Sequence, residues 1–367
     1  MAAFFAEYGL FLAKAVTVLV VALLIAGGVF ASASKGKKST SGAIKIKKLN
    51  DELDKIKKEI NHSILSKDAL KQEEKNSKKK EKKDKKAEKK AEKNTKKINK
   101  KTEQEKPSEE GYRDQAKKRV YVLDFKGDVK ASQVENLRHE ITAVLMVANE
   151  HDEIVLRLES PGGMVHTYGL ASSQLERIKR KNIPLSICVD EIAASGGYMM
   201  ACLGDKIYAA PFAIVGSVGV VAQLPNFNRL LKKNAIDYEL FTAGEYKRTV
   251  TMMGENTEKG KEKFQQELDD THILFKEFVS SHRPQLDINA IATGEHWYGS
   301  RAKDKNLIDE LMTSDEYLVE ACKESEVFSV TYEKKKHVLD RIGIAAEGSI
   351  DRVLLKWFDR MQRQHLS

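Results

Sequence analysis

Ser195 is the residue whose surroundings most invite chemistry. It lies in Ala193-Ala194-Ser195-Gly196-Gly197-Tyr198, between an apolar run ending at Val189 and a short apolar helix-forming run, Ser195 to Leu203. A hydroxyl at that junction faces amide N–H groups with no intrahelical acceptor and the positive end of a helix dipole, which together stabilise developing negative charge. The same position suits a plain N-cap, which performs no chemistry. A serine nucleophile needs a base. Of the nine histidines, none falls between Ser195 and His272. His166 follows the Gly162-Gly163 turn, but it also sits at the start of an ordinary helix. Lys247, in Ala243-Gly244-Glu245-Tyr246-Lys247-Arg248, is the second candidate. A lysine beside a partly apolar cleft is desolvated, and its neutral amine accepts a hydroxyl proton. Taken alone, Lys247 is one of many lysines, most of them simply solvated.

The elements that must position these residues read as alternating strands and helices. Strands are expected at Val120–Phe125, Ile154–Leu158, Pro184–Val189, Lys206–Ala210 and Tyr238–Thr242. Helices are expected at Ala131–Asn149, Val165–Lys181, near Pro225–Lys233, over Glu258–Val279, and near Ile288 and Arg301. This order implies βαβ units and a largely parallel sheet. Three glycine-bearing turns fall at strand ends: Ser160-Pro161-Gly162-Gly163, Ala194-Ser195-Gly196-Gly197 and Gly216-Ser217-Val218-Gly219. Open α/β sheets place their sites at the carboxyl ends of strands, and glycine there permits positive φ and close backbone approach.

Four motifs in fixed order carry a family resemblance: Glu159-Ser-Pro-Gly-Gly163, Ala193-Ala-Ser-Gly-Gly-Tyr198, Gly216-Ser-Val-Gly-Val220 and Ala243-Gly-Glu-Tyr-Lys-Arg-Thr249. They resemble the signal peptide peptidase A family (S49), which consists of serine peptidases with a Ser–Lys dyad. The resemblance covers about residues 120–311. It implies an α/β, ClpP/crotonase-like fold with repeated ββα units. Carried over residue by residue, it makes Ser195 the nucleophile, Lys247 the general base, Ser217 the serine that orients the lysine, and the Gly162, Gly163 and Gly196 amides an oxyanion hole. No metal or cofactor is implied. The implied partners are a peptide or unfolded-protein substrate, membrane lipid and further copies of the chain in a homo-oligomer. Asn306 stands where the family has glycine, and asparagine tolerates left-handed backbone. Within the same superfamily, crotonase-like enzymes use acidic residues, and Glu159 and Glu191 near the turns keep that activity open. A catalytically inactive, peptide-binding membrane scaffold is the other reading.

Residues 1–34 are expected to form a transmembrane anchor. The stretch 15–34 has no charged residue, and twenty helical residues rise about 30 Å, one hydrocarbon core. Residues 35–118 read as a Lys/Glu-rich linker, disordered or partly helical. Residues 119–330 read as the peptidase domain, and 331–367 as an amphipathic tail. The formal charge of +9 is uneven. Residues 35–106 hold 27 Lys and 13 acids, a balance of +14, which leaves −5 elsewhere. The folded part is therefore mildly acidic, which excludes a basic nucleic-acid-binding core. Three scattered cysteines exclude a disulfide framework or a zinc site. A single-pass protein of the bacterial inner membrane is implied. Family analogy places its domain in the periplasm, whereas Lys35, Lys37 and Lys38 after the span favour the cytoplasm.

Overall fold

The computed structural model describes residues 14, 16, 17, 42–66 and 117–334. One compact unit spans 44–332. Its elements are β1 (Ala43–Lys48), α1 (Leu49–Ile64), β2 (Arg119–Lys126), α2 (Val134–Leu145), β3 (Glu153–Glu159), α3 (Val165–Lys179) and β4 (Leu185–Val189). There follow β5 (Ile192–Ala194), α4 (Gly196–Ala201), β6 (Lys206–Ala209), β7 (Ile214–Gly216), α5 (Asn228–Lys233) and α6 (Glu258–His282). The chain continues through α7 (Ile288–Ile291), β8 (His296–Tyr298), α8 (Gly299–Asp304), β9 (Glu310–Leu311), α9 (Ser314–Glu324) and β10 (Glu326–Glu333).

Seven strands form one sheet in the order β1-β10-β2-β3-β4-β6-β9. The pairings of β10, β2, β3, β4, β6 and β9 are all parallel. Parallel strands covered on both faces read as near-continuous apolar runs, and the runs at 120–125, 154–158 and 185–189 are such strands. One face packs Leu137, Ile141, Leu175 and Ile178 of α2 and α3 over Leu123, Leu156 and Ile187. The other packs Leu318 of α9 over Val122, Val155 and Cys188. The sheet, its helices and the passages β4–β5–α4 and β6–β7–α5 fit the expected α/β class.

A second sheet, β5-β7-β8, carries the short strands that end in the glycine turns. β5 pairs in parallel with β7, Ala194 opposite Gly216. It is also tied to the end of β3, because Ser160 N–H donates to Ile192 O at 2.7 Å and Ala194 N–H donates to Ser160 O at 3.0 Å. All three glycine turns are thereby gathered at one place.

The stretch Tyr238–Thr242 is not a strand. Its apolar residues have no neighbouring strand to pair with, and it runs through a mostly exposed arm, residues 221–248, whose regular structure is α5. Residues 43–64, expected within the linker, form β1 and α1, and from Ile44 on they belong to the folded unit. They are fixed by Asn50, whose Nδ2 donates to Cys322 O (3.0 Å) and Ser325 O (2.9 Å) and whose Oδ1 accepts from Val327 N–H (2.8 Å). The expected span at 15–34 lies outside the described residues, save Val16 and Thr17, and so does the expected tail from residue 335 on, whereas its first residues, 331–333, complete β10. Among the described residues, no helix is long and apolar enough to cross a membrane.

Candidate active site

Ser195 joins β5 to α4 with φ 52° and ψ −118°. Left-handed φ is uncommon for a residue with a side chain and concentrates at functional sites. The main chain holds the turn from both sides: Ser195 N–H donates to Gly216 O at 2.8 Å, and Ser195 O accepts from Met199 N–H at 2.9 Å. The hydroxyl makes no capping hydrogen bond to the helix it precedes. An N-cap has extended backbone and gives its oxygen to an amide of the first turn. Ser195 does neither, so it is not a helix cap, and its hydroxyl is half-buried.

The Ser160–Gly163 turn packs directly on this one. Gly162 has φ +88°, and a Cβ there would stand 2.7 Å from Gly196 N and 2.9 Å from Ser195 Cβ. Only glycine fits. The Gly162 amide, expected as an oxyanion donor, instead donates to Ser160 Oγ at 3.1 Å. Ser160 Oγ lies 2.6 Å from Tyr168 Oη, which donates to Asp128 O at 2.9 Å. Since a carbonyl only accepts, the tyrosine proton goes to Asp128 and the serine proton to the tyrosine. The order is therefore Gly162 N–H to Ser160, Ser160 to Tyr168, and Tyr168 to Asp128. Burial raises the Tyr168 phenol above its ordinary value and keeps it a protonated donor. The Gly196 amide, first in α4, has no intrahelical acceptor, and Gly163 is exposed. Ser160 and Tyr168 escaped the sequence reading. Their only signal was a tyrosine eight residues after the serine, at a core position of α3.

Ser217 follows Gly216, and Ser195 follows Ala194, the register partner of Gly216. The two serines therefore leave the ends of adjacent strands. Ser217 is itself left-handed at φ 54°, and its N–H donates to Glu295 O at 2.7 Å. A small recess beside Ser195 is lined by Val165, Met199, Val220, Thr271 and Phe275, with glycine backbone.

Lys247 does not line this recess and is exposed. Its turn is anchored at the start of α6: Glu245 pairs with Lys259 at 2.6 Å, and Lys259 and Lys263 sit over the Tyr246 ring. Eleven residues separate Gly260, which abuts Thr249 O, from Thr271 in the recess, about 16 Å of helix. Within one chain, the β5–β7 register puts Ser195 and Ser217 at the ends of paired strands, and neither Ser217 nor Lys247 lines the recess. Glu159 and Glu191 line a different cleft of about 440 Å³ with Asp124, Arg157 and Asp190, away from the serine recess. Burial pushes the Cys188 and Cys202 thiols up to about 12, so neither is a thiolate nucleophile.

The sequence profile described as peptidase family S49 N-terminal matches residues 3–175, and that described as peptidase family S49 matches residues 177–328. The chain belongs to peptidase family S49. It is 48% identical over 359 residues to the probable protease SohB of Haemophilus influenzae, covering 98% of each chain. It is 54% identical over 242 residues to the probable protease SohB of Buchnera aphidicola subsp. Acyrthosiphon pisum, covering 66% of this chain and 72% of the relative. A putative signal peptide peptidase SppA of Enterococcus faecium is 26% identical over 196 residues, covering 53% of this chain and 56% of that one. The S49 motifs all fall on the turns just described, and the family assigns the chain a protease's chemistry.

Proposed function

We propose that this S49 protease is a membrane-anchored serine endopeptidase that cleaves through an acyl-enzyme with Ser195 as nucleophile and Lys247 as base. The observation that carries the reading is the left-handed Ser195, uncapped and wedged against the Gly162 turn. Ser195 Oγ attacks the scissile carbonyl carbon as its proton passes to the neutral Lys247 amine. The resulting oxyanion is held by the Gly163 and Gly196 amides. Collapse expels the amine product, which takes that proton, and water then hydrolyses the ester. Preorganised donors of this kind are worth about 2.7–4 kcal/mol each. Ser217, at the end of the paired strand, orients the lysine amine.

Lys247 is exposed and does not line the Ser195 recess of its own chain, and the arm that bears it exposes Val221, Leu230, Ile236, Leu240 and Phe241, the last 87% exposed. An apolar arm of this kind suits a partner surface. The dyad is therefore completed in a homo-oligomer, with the arm of one copy presented to Ser195 of another. The name of the Enterococcus relative suggests signal-peptide remnants as substrates, and unfolded exported proteins share their extended, apolar character. We infer from the uncharged stretch at 15–34 that this work is done at a bacterial inner membrane.

A serine-reactive fluorophosphonate probe tests the nucleophile. It labels wild type and spares Ser195→Ala. Equal labelling of both, or unchanged cleavage of an unfolded substrate by Ser195→Ala, overturns the assignment. A peptide-binding scaffold without catalysis would show no labelling at all.

A further inference from the structure

Helix α1 is attached to the domain by one end. Leu49 packs on the Val122/Val155 side of the sheet, and Asn50 makes its three bonds to α9 and β10. Beyond Leu53 nearly every residue of the helix is exposed, including Ile56, Ile60 and Ile64 at 49%, 50% and 75%. A sixteen-residue helix with so little packing is marginal in water, and an apolar stripe on it calls for a partner.

The stripe has a defined pattern. Leu49, Leu53, Ile56 and Ile60 follow steps of four, three and four, the spacing of a coiled-coil seam. With Leu53 and Ile60 at a and Leu49 and Ile56 at d, Lys57 occupies e, and Glu52 and Glu59 occupy g. In a parallel pair each g residue faces the e residue of the next heptad on the other helix. Glu52 then meets Lys57 of the second copy, and Lys57 meets its Glu52. In an antiparallel pair e faces e and g faces g, so like charges meet. Glu52 now pairs with Lys47 of its own chain, an exposed contact that costs little to exchange. An anionic lipid surface fits less well, because Asp51, Glu52, Asp54 and Glu59 outnumber Lys55, Lys57 and Lys58.

We propose that α1 is a self-association helix through which two copies of this chain pair in parallel, on a Leu53–Ile56–Ile60 seam flanked by reciprocal Glu52–Lys57 contacts. It adds a specific contact to the homo-oligomer proposed above, and it is read by trapping rather than activity, so either proposal can fail alone.

The seam is short, so cysteine trapping in the full chain is the direct test. Ile60→Cys and Ile56→Cys are oxidised mildly beside Lys58→Cys, which lies on the opposite face, and wild type sets the background of the native cysteines. The seam cysteines are expected to yield covalent dimer about tenfold above Lys58→Cys. Adding Lys57→Glu to Ile60→Cys lowers the yield several-fold, and adding Glu52→Lys to that chain restores it. Equal trapping at all three positions overturns the proposal, as does indifference to the charge reversal. So does a bimane label at position 60 that is quenched by a lipid-borne quencher without dimer, which makes a membrane the occupant.

Discussion

Two inactive chains should restore one another. Lys247 rides on a turn fixed to the first turns of α6, and the recess of Ser195 meets that helix at Thr271 and Phe275. About 16 Å of helix separates Gly260 from Thr271. If the lysine reaches Ser195 from a neighbouring copy, Ser195→Ala keeps a competent lysine and Lys247→Ala keeps a competent serine. Each alone should lose about four or more orders of magnitude in turnover, as removal of a nucleophile or base does elsewhere. Co-expressed in equal amounts and mixing at random, half the sites carry Ser195, and half of those face an intact Lys247. Activity should therefore return to about a quarter of wild type, given one lysine donor per site. Dilution with a double variant, Ser195→Ala with Lys247→Ala, sharpens the arithmetic. At equal amounts, per total chain, a shared dyad falls to about a quarter and a dyad within one chain to about a half. The assay is cleavage of an unfolded, fluorescently quenched protein by doubly tagged, tandem-purified oligomer. No recovery in the first mixture with halving in the second would refute delivery of the lysine between copies.

Three further outcomes are expected. Gly162→Ala combines a φ of +88° with a Cβ 2.7 Å from Gly196 N, so it should cut kcat at least about a hundredfold in chains that still fold, checked by turnover and circular dichroism. Tyr168→Phe deletes the donor to Asp128 O and the acceptor for Ser160, and should cost about 1–2 kcal/mol in urea unfolding with a smaller loss of turnover. Burial lifts the Glu140 carboxyl from 4.5 to about 7. The folded state thus holds a proton that the unfolded state has lost, so this group's contribution falls as pH rises from about 4.5 to about 7, by up to about 3 kcal/mol. Glu140→Gln should flatten that part of the stability–pH curve, and an unchanged slope would contradict it.

The main sheet was legible because β2, β3 and β4 are buried on both faces and so spell continuous apolar runs. The place of Ser195 was legible because glycines interrupt those runs at strand ends. Asn306 adopts φ 61°, the left-handed backbone anticipated for it. Other features were hidden. β5 and β7 have three residues each, too few for any period to emerge. Tyr238–Thr242 has strand-like residues but no neighbour to bond, and pairing decides a strand where propensity does not. β1 and α1 were hidden among lysines, since they attach through the pairing of β1 with β10, the Asn50 side chain and the isolated apolar residues Ile44 and Leu49 rather than through an apolar run. The Gly162 amide pointed at Ser160 only because of a buried tyrosine that no local pattern reveals.

The docking of β1 at the sheet edge changes what the lysine-rich stretch can be. Its two flanks, the end of α1 and the start of β2, belong to the same folded unit, so the stretch joins two elements of that unit and does not lead into it from outside. Its length can therefore vary at small cost without altering how the chain enters β1.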